Sequence, residues 1–95
     1  MITGRERANL RRNANTLTPI FQIGKGDVGD NLIEAVDAAL TKRELIKLSV
    51  LETASLTARE AAGLLAGATG AEVITCIGRK FVLYRETLHD PAQGI

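Results

Sequence analysis

The segment Gly24-Lys25-Gly26-Asp27-Val28-Gly29 sets three glycines and a lysine between a short apolar run, Ile20-Phe21-Gln22-Ile23, and a helical pattern. A glycine loop in that position lets a ligand come close to the backbone. The first amides of the helix behind it have no intrahelical partner and carry the positive end of the helix dipole. Together these features make a ready phosphate site, to which Lys25 adds a mobile positive charge.

The same residues match G-x-G-x-x-G, the dinucleotide-binding fingerprint, and Glu52 follows the next strand where an acidic residue could hold a ribose hydroxyl. That fold, however, makes its first strand central and buried on both faces. Pro19-Ile20-Phe21-Gln22-Ile23, with its proline and glutamine, has the composition of an edge or half-exposed strand. A third account needs no ligand, because Gly24 and Gly26 also suit a tight strand-to-helix turn. Other chemistry is poorly supplied. The lone Cys76 and lone His89 form no metal-ligand set, and Cys76 reads as a small core residue. Glu44, Glu52 and Glu60 make no carboxylate pair for acid–base work, so no catalytic site, metal or cofactor is assigned.

The elements that would position the loop follow from periodicity. Thr3-Gly4-Arg5-Glu6 reads as a capping box, and Leu10, Ala14 and Leu17 continue at helical spacing, which predicts a first helix from Thr3 to Ala14 with Arg5 and Arg12 projecting away from the apolar stripe. Residues 19–23 form a short strand. Leu32, Ile33, Val36, Ala39 and Leu40 then share one side of a second helix, whose start Asp27 and Asp30 are placed to cap. Residues 44–51, ELIKLSVL, alternate Leu45, Lys47, Ser49 and Leu51 with the fully apolar Ile46, Leu48 and Val50, as a strand does.

A second capping box, Thr57-Ala58-Arg59-Glu60, opens a third helix with Ala61, Leu64, Leu65 and Ala68 as its apolar positions and Gly70 as its terminator. Gly63 and Gly67 weaken that helix by about 1 kcal/mol each, a cost that close packing on a sheet would explain. Glu72–Ile77 and Phe81–Arg85 complete the pattern as two strands joined at Gly78-Arg79-Lys80. The order is α-β-α-β-α-β-β, an α/β domain over residues 1–86 with one four-stranded mixed sheet covered by helices. Residues 87–95 lose periodicity and read as a tail.

Charge bounds the partners. The net charge of +1 is mild for a nucleic-acid binder, but it averages over an asymmetry: residues 1–25 hold a balance of +4 and residues 26–95 a balance of −3. No apolar run is long enough to span a bilayer, and the N-terminus has no signal-peptide order, so a cytoplasmic location is expected. With three aromatic residues, Phe21, Phe81 and Tyr84, there is little for base stacking, which keeps open a protein-interaction module without nucleic acid.

PIFQIGKGDV, ELIKLSV, TGAEVITCIGRK and FVLYR, in that order and at these separations, resemble the YhbY family, the stand-alone bacterial form of the CRM (chloroplast RNA splicing and ribosome maturation) domain. The resemblance runs from the first helix to Arg85. It implies a fold like the C-terminal domain of bacterial translation initiation factor three, and RNA binding without catalysis. It further implies precursors of the large ribosomal subunit as partner; no cofactor, small-molecule substrate or membrane partner is expected. In the family the loop reads G-x-x-G, similar to the clamp of KH domains. Its first glycine matches Gly24, its middle positions match Lys25 and Gly26, and its last falls on Asp27. A carboxylate there is expected to repel phosphate, although aspartate tolerates the left-handed backbone that a glycine would supply. The RNA-binding residues expected on this resemblance are Gly24, Lys25, Gly26 and Asp27, helped by Arg5, Arg12, Arg79 and Lys80.

Overall fold

The computed structural model describes residues 4–86, so Thr3 and the expected tail at 87–95 lie outside the described residues. The elements run α1 (Gly4–Ala14), β1 (Phe21–Ile23), α2 (Asp30–Arg43), β2 (Leu45–Val50), α3 (Ala58–Thr69), β3 (Glu72–Ile77) and β4 (Lys80–Tyr84). They form one four-stranded sheet in the order β1-β2-β4-β3. β1 is parallel to β2, and β4 is antiparallel to both of its neighbours. β1 is three residues long and lies at an edge, which is the place its composition suits and which a doubly wound dinucleotide fold does not give its first strand.

The alternation in β2 separates two cores. Ile46, Leu48 and Val50 are buried with Phe81 and Leu83 of β4 beneath α2 and α3. On the other face Ala14 of α1 is buried with Ile74 and Val82, flanked by Leu10, Leu17, Leu45 and Tyr84. Both sets of alternating residues in β4 are therefore core, because helices cover both faces. Arg7 fastens α1 to the start of β3, donating to the Val73 carbonyl and the Glu72 carboxylate at 2.9 Å each.

In α3 the buried positions are Ala58, Ala61, Ala62, Leu65 and Thr69. This corrects the expected stripe in part: Leu64 is 53% exposed and Ala68 is also exposed. The packing explanation for the two glycines fails as well, since a Cβ built at Gly63 or Gly67 meets nothing within 4 Å. The helix is turned further than a Leu64-centred stripe requires, so that Ala58, Ala62 and Leu65 face the sheet. Gly70 ends α3 with φ of 74°, a left-handed cap in which its amide donates to the Ala66 carbonyl.

Arg85 lies one residue beyond β4 rather than inside it. Its amide donates to the Glu44 carbonyl, and its guanidinium donates to the carbonyls of Thr69 (2.7 Å) and Asp37 (2.9 Å), to the Thr41 hydroxyl (2.8 Å) and to the Asp37 carboxylate. One side chain thus joins the last turns of α2 to the end of α3. Replacing Arg85 by Ala is expected to lower stability by about 2 kcal/mol, the scale for losing hydrogen bonds to a charged group. Arg85→Lys should recover only part of this, because an ammonium cannot span the same set of acceptors. Urea denaturation of the three proteins measures both effects.

Candidate functional site

Because β1 and β2 run the same way, the loops that follow them leave the sheet at the same end. β4 runs back from that end, so the two-residue β3–β4 turn, Gly78-Arg79, lies there too. The amide of Val50 donates to the Arg79 carbonyl at 2.7 Å, and that of Leu51 to the Ile23 carbonyl at 2.8 Å. The glycine loop, the 51–57 loop, the hairpin tip and the N-termini of α2 and α3 are thereby gathered at one end of the domain.

Within the glycine loop, residues 24–27 form a turn closed by the Asp27 amide donating to the Gly24 carbonyl at 2.9 Å. The residue in the left-handed region is Asp27, with φ of 50°, and none of the loop's glycines has positive φ. Asp27 does not cap α2 as its position suggests. The cap position belongs to Gly29, which has no side chain to offer, and α2 begins at Asp30. The Asp27 carboxylate turns instead to the neighbouring loop, where it accepts from the Ser55 amide at 3.0 Å and from the Ser55 hydroxyl. The Ser55 hydroxyl does most to hold the Asp27 carboxyl below its ordinary pKa. Partial desolvation opposes it, and the amides of Ser55 and Leu56 assist.

The two helix N-termini at this end are finished differently. At α3 the Thr57 hydroxyl accepts from the Glu60 amide (3.1 Å) and the Glu60 carboxylate from the Thr57 amide (2.9 Å), a complete capping box. At α2 the cap residue is Gly29, and among the described residues no side-chain hydrogen bond caps the helix. Exposed Lys25 and Gly26 stand in the loop just ahead of it. A Cβ at Gly26 would meet nothing within 4 Å, whereas one at Gly24 would touch Leu51 and Thr53.

Of the expected site residues, the structure brings Gly24, Lys25, Gly26, Asp27, Arg79 and Lys80 to this end. Arg79 is partly engaged in an exposed ion pair with Glu52 at 3.3 Å. Arg5 is not brought there: α1 starts against the beginning of β3, the opposite end of the sheet, as the bonds of Arg7 show. Arg12 stands exposed on the last turn of α1, on the sheet face away from α2 and α3. Sequence reasoning passed over Ser55, whose partnership with Asp27 spans 28 residues and leaves no local pattern. It also passed over Arg59, exposed at the start of α3, and Lys47, on the sheet face opposite α2 and α3. The capping box and the β2 alternation already held the signals for those two.

Three helices on one sheet with one parallel and two antiparallel strand pairs define a small α/β domain. The CRS1 / YhbY (CRM) domain matches residues 2–85, and the chain belongs to that family. It is 42% identical over 87 residues to the Bacillus subtilis (strain 168) protein named "Probable RNA-binding protein YqeI", covering 92% of this chain and 91% of that one. It is 36% identical over 86 residues to "Probable RNA-binding protein MJ0652" of Methanocaldococcus jannaschii, covering 88% of this chain and 63% of that longer protein. The solution structure of the hypothetical protein SAV1595 from Staphylococcus aureus superposes with a TM-score of 0.76 at 40% identity, covering 95% of this chain and 94% of that one.

The Asp27–Ser55 contact carries a pH signature. A carboxyl whose folded pKa is lowered contributes stability that is fully present above its unfolded pKa and is lost as pH falls through the folded value. The Ser55 amide resonance is therefore expected to titrate with a midpoint below that of an ordinary aspartate, and to lose that step in Asp27→Asn. A midpoint at the ordinary value in a pH series of amide spectra would show that the clamp does not hold in solution.

Proposed function

We propose that this protein binds RNA through the glycine-loop end of the domain, that its target is precursor RNA of the large ribosomal subunit, and that it acts in subunit assembly in the cytoplasm without catalysing a reaction. The observation that carries this reading is the open start of α2. Among the described residues no side chain caps its first amides, Gly26 leaves the approach clear, and Asp27 directs its carboxylate to Ser55. Phosphate oxygens are the acceptors such an end suits, with Lys25 as a further cation. Relatives named as RNA-binding proteins support the class of ligand. The ribosomal target rests on the resemblance to the YhbY family. The dinucleotide reading has less support, because β1 lies at the edge of the sheet rather than at its centre.

The test begins with the native protein in cell lysate, sedimented through sucrose at low and moderate salt with and without ribonuclease. Migration with large-subunit precursors that salt and ribonuclease both abolish is the expected result. A protein that stays at the top of the gradient throughout would defeat the ribosomal assignment. With purified protein, Lys25→Glu should weaken RNA binding and lower the slope of log affinity against log salt by about 1, with unfolding unchanged. Gly26→Ala, at a position with ordinary φ and open space, should leave stability unaltered and still weaken binding. Unchanged affinity in both variants would move the RNA site away from the loop.

A further inference from the structure

Among the described residues, the sheet face opposite α2 and α3 is only half covered. The packing of α1 takes in Leu45, Ile74, Val82 and Tyr84, and among the described residues no helix packs on the part of the face nearest the glycine loop. Strand register places Gln22, Ser49, Lys80 and Ile77 there in a single row across all four strands. Lys47 and Thr75 flank Val82 in the row beneath. A shallow hollow of about 150 Å³ opens at this place, lined by Asn15, Lys47, Thr75, Ile77 and Lys80 among others, and Ile77 is 70% exposed.

The charge on this half-face is of one sign. Neither Lys47 nor Lys80 forms an ion pair among the described residues, and no carboxylate stands in either row. The two lysines are diagonal neighbours on adjacent strands, with Cα atoms about 7–8 Å apart. Two unpartnered cations at that spacing repel each other mildly and favour an anion that can meet both. The half-face is also continuous with the loop end: Gln22 is two residues before Gly24, and Lys80 directly follows Arg79.

We infer that this open half-face is a second contact surface for the same RNA, one on which the sugar–phosphate backbone continues past the glycine loop. Lys47 and Lys80 each meet a phosphate, and Ile77 lies against the ribose. Only the backbone is engaged, because neither row offers an aromatic ring for stacking, so the contact is tolerant of sequence. The inference rests on the RNA-binding reading above.

The experiment measures binding of fluorescein-labelled fragments of large-subunit ribosomal RNA across a salt series. It uses the full chain, Lys25→Glu, the double variant Lys47→Gln with Lys80→Gln, and the same pair changed to Arg. The Gln pair is expected to lose about 1.4 from the salt slope, about 0.7 for each single-strand phosphate contact, while the Arg pair keeps the slope. In the full chain, amide signals of Lys47, Ser49, Thr75 and Ile77 should shift as the RNA is added, which requires no variant to fold. If Lys25→Glu weakens binding but the Gln pair binds as the full chain does and those amides stay still, the half-face is overturned and the loop reading stands. If the full chain binds none of the fragments, the RNA reading fails and the half-face falls with it.

Discussion

The parallel pairing of β1 with β2 is the constraint on which the functional end of this domain depends. An antiparallel pair would send the two following loops to opposite ends of the sheet. The parallel pair sends both to one end, each leading into a helix whose N-terminus points the same way. β4, antiparallel to β2, then delivers the β3–β4 turn to that same end. Three backbone segments far apart in sequence converge through these pairings, and β1 needs only three residues of pairing for its part.

Convergence creates an electrostatic problem, since acidic side chains arrive with the glycine loop. Several are satisfied locally. Asp27 accepts two hydrogen bonds from Ser55, Glu60 closes the capping box of α3, and Glu52 faces Arg79. The α2 amides and Lys25 are left without such partners among the described residues. A chain with a net charge of only +1 can therefore still present a locally receptive end, because binding responds to charge within about a Debye length rather than to the total.

Much of the fold was legible in the sequence, for reasons specific to each element. ELIKLSVL alternates so cleanly that Ile46, Leu48 and Val50 could be assigned to one buried face, and Thr57 with Glu60 marked the start of α3 through a contact made within one turn. The misreadings fall where several rotations satisfy the same local pattern. Alanine-rich α3 has apolar residues almost all round, so its sequence does not say whether Leu64 or Ala62 turns inward; the sheet beneath it decides. At the site, the open loop could be read, but the destination of the Asp27 carboxylate could not. Its proximity to Ser55 is a product of strand pairing, and no spacing rule within residues 24–30 contains it.

That destination changes what the departure from G-x-x-G means. A glycine in the last position would adopt positive φ without strain, and would leave the 24–27 turn free of the 51–57 loop. Aspartate adopts φ of 50° at some cost, although less than most residues, and regains it through a carboxylate that fastens one loop to the other. The substitution therefore exchanges an intrinsically permissive backbone for a tethered one. The negative charge stays beside the loop, but Ser55 fixes where its oxygens point. A carboxylate free beside the α2 amides would compete with phosphate for them, but one bound to Ser55 is directed to a different loop. Asp27 and Ser55 thus act as a pair. Losing Ser55 would release a negative charge beside the loop, a consequence that losing both residues together would avoid.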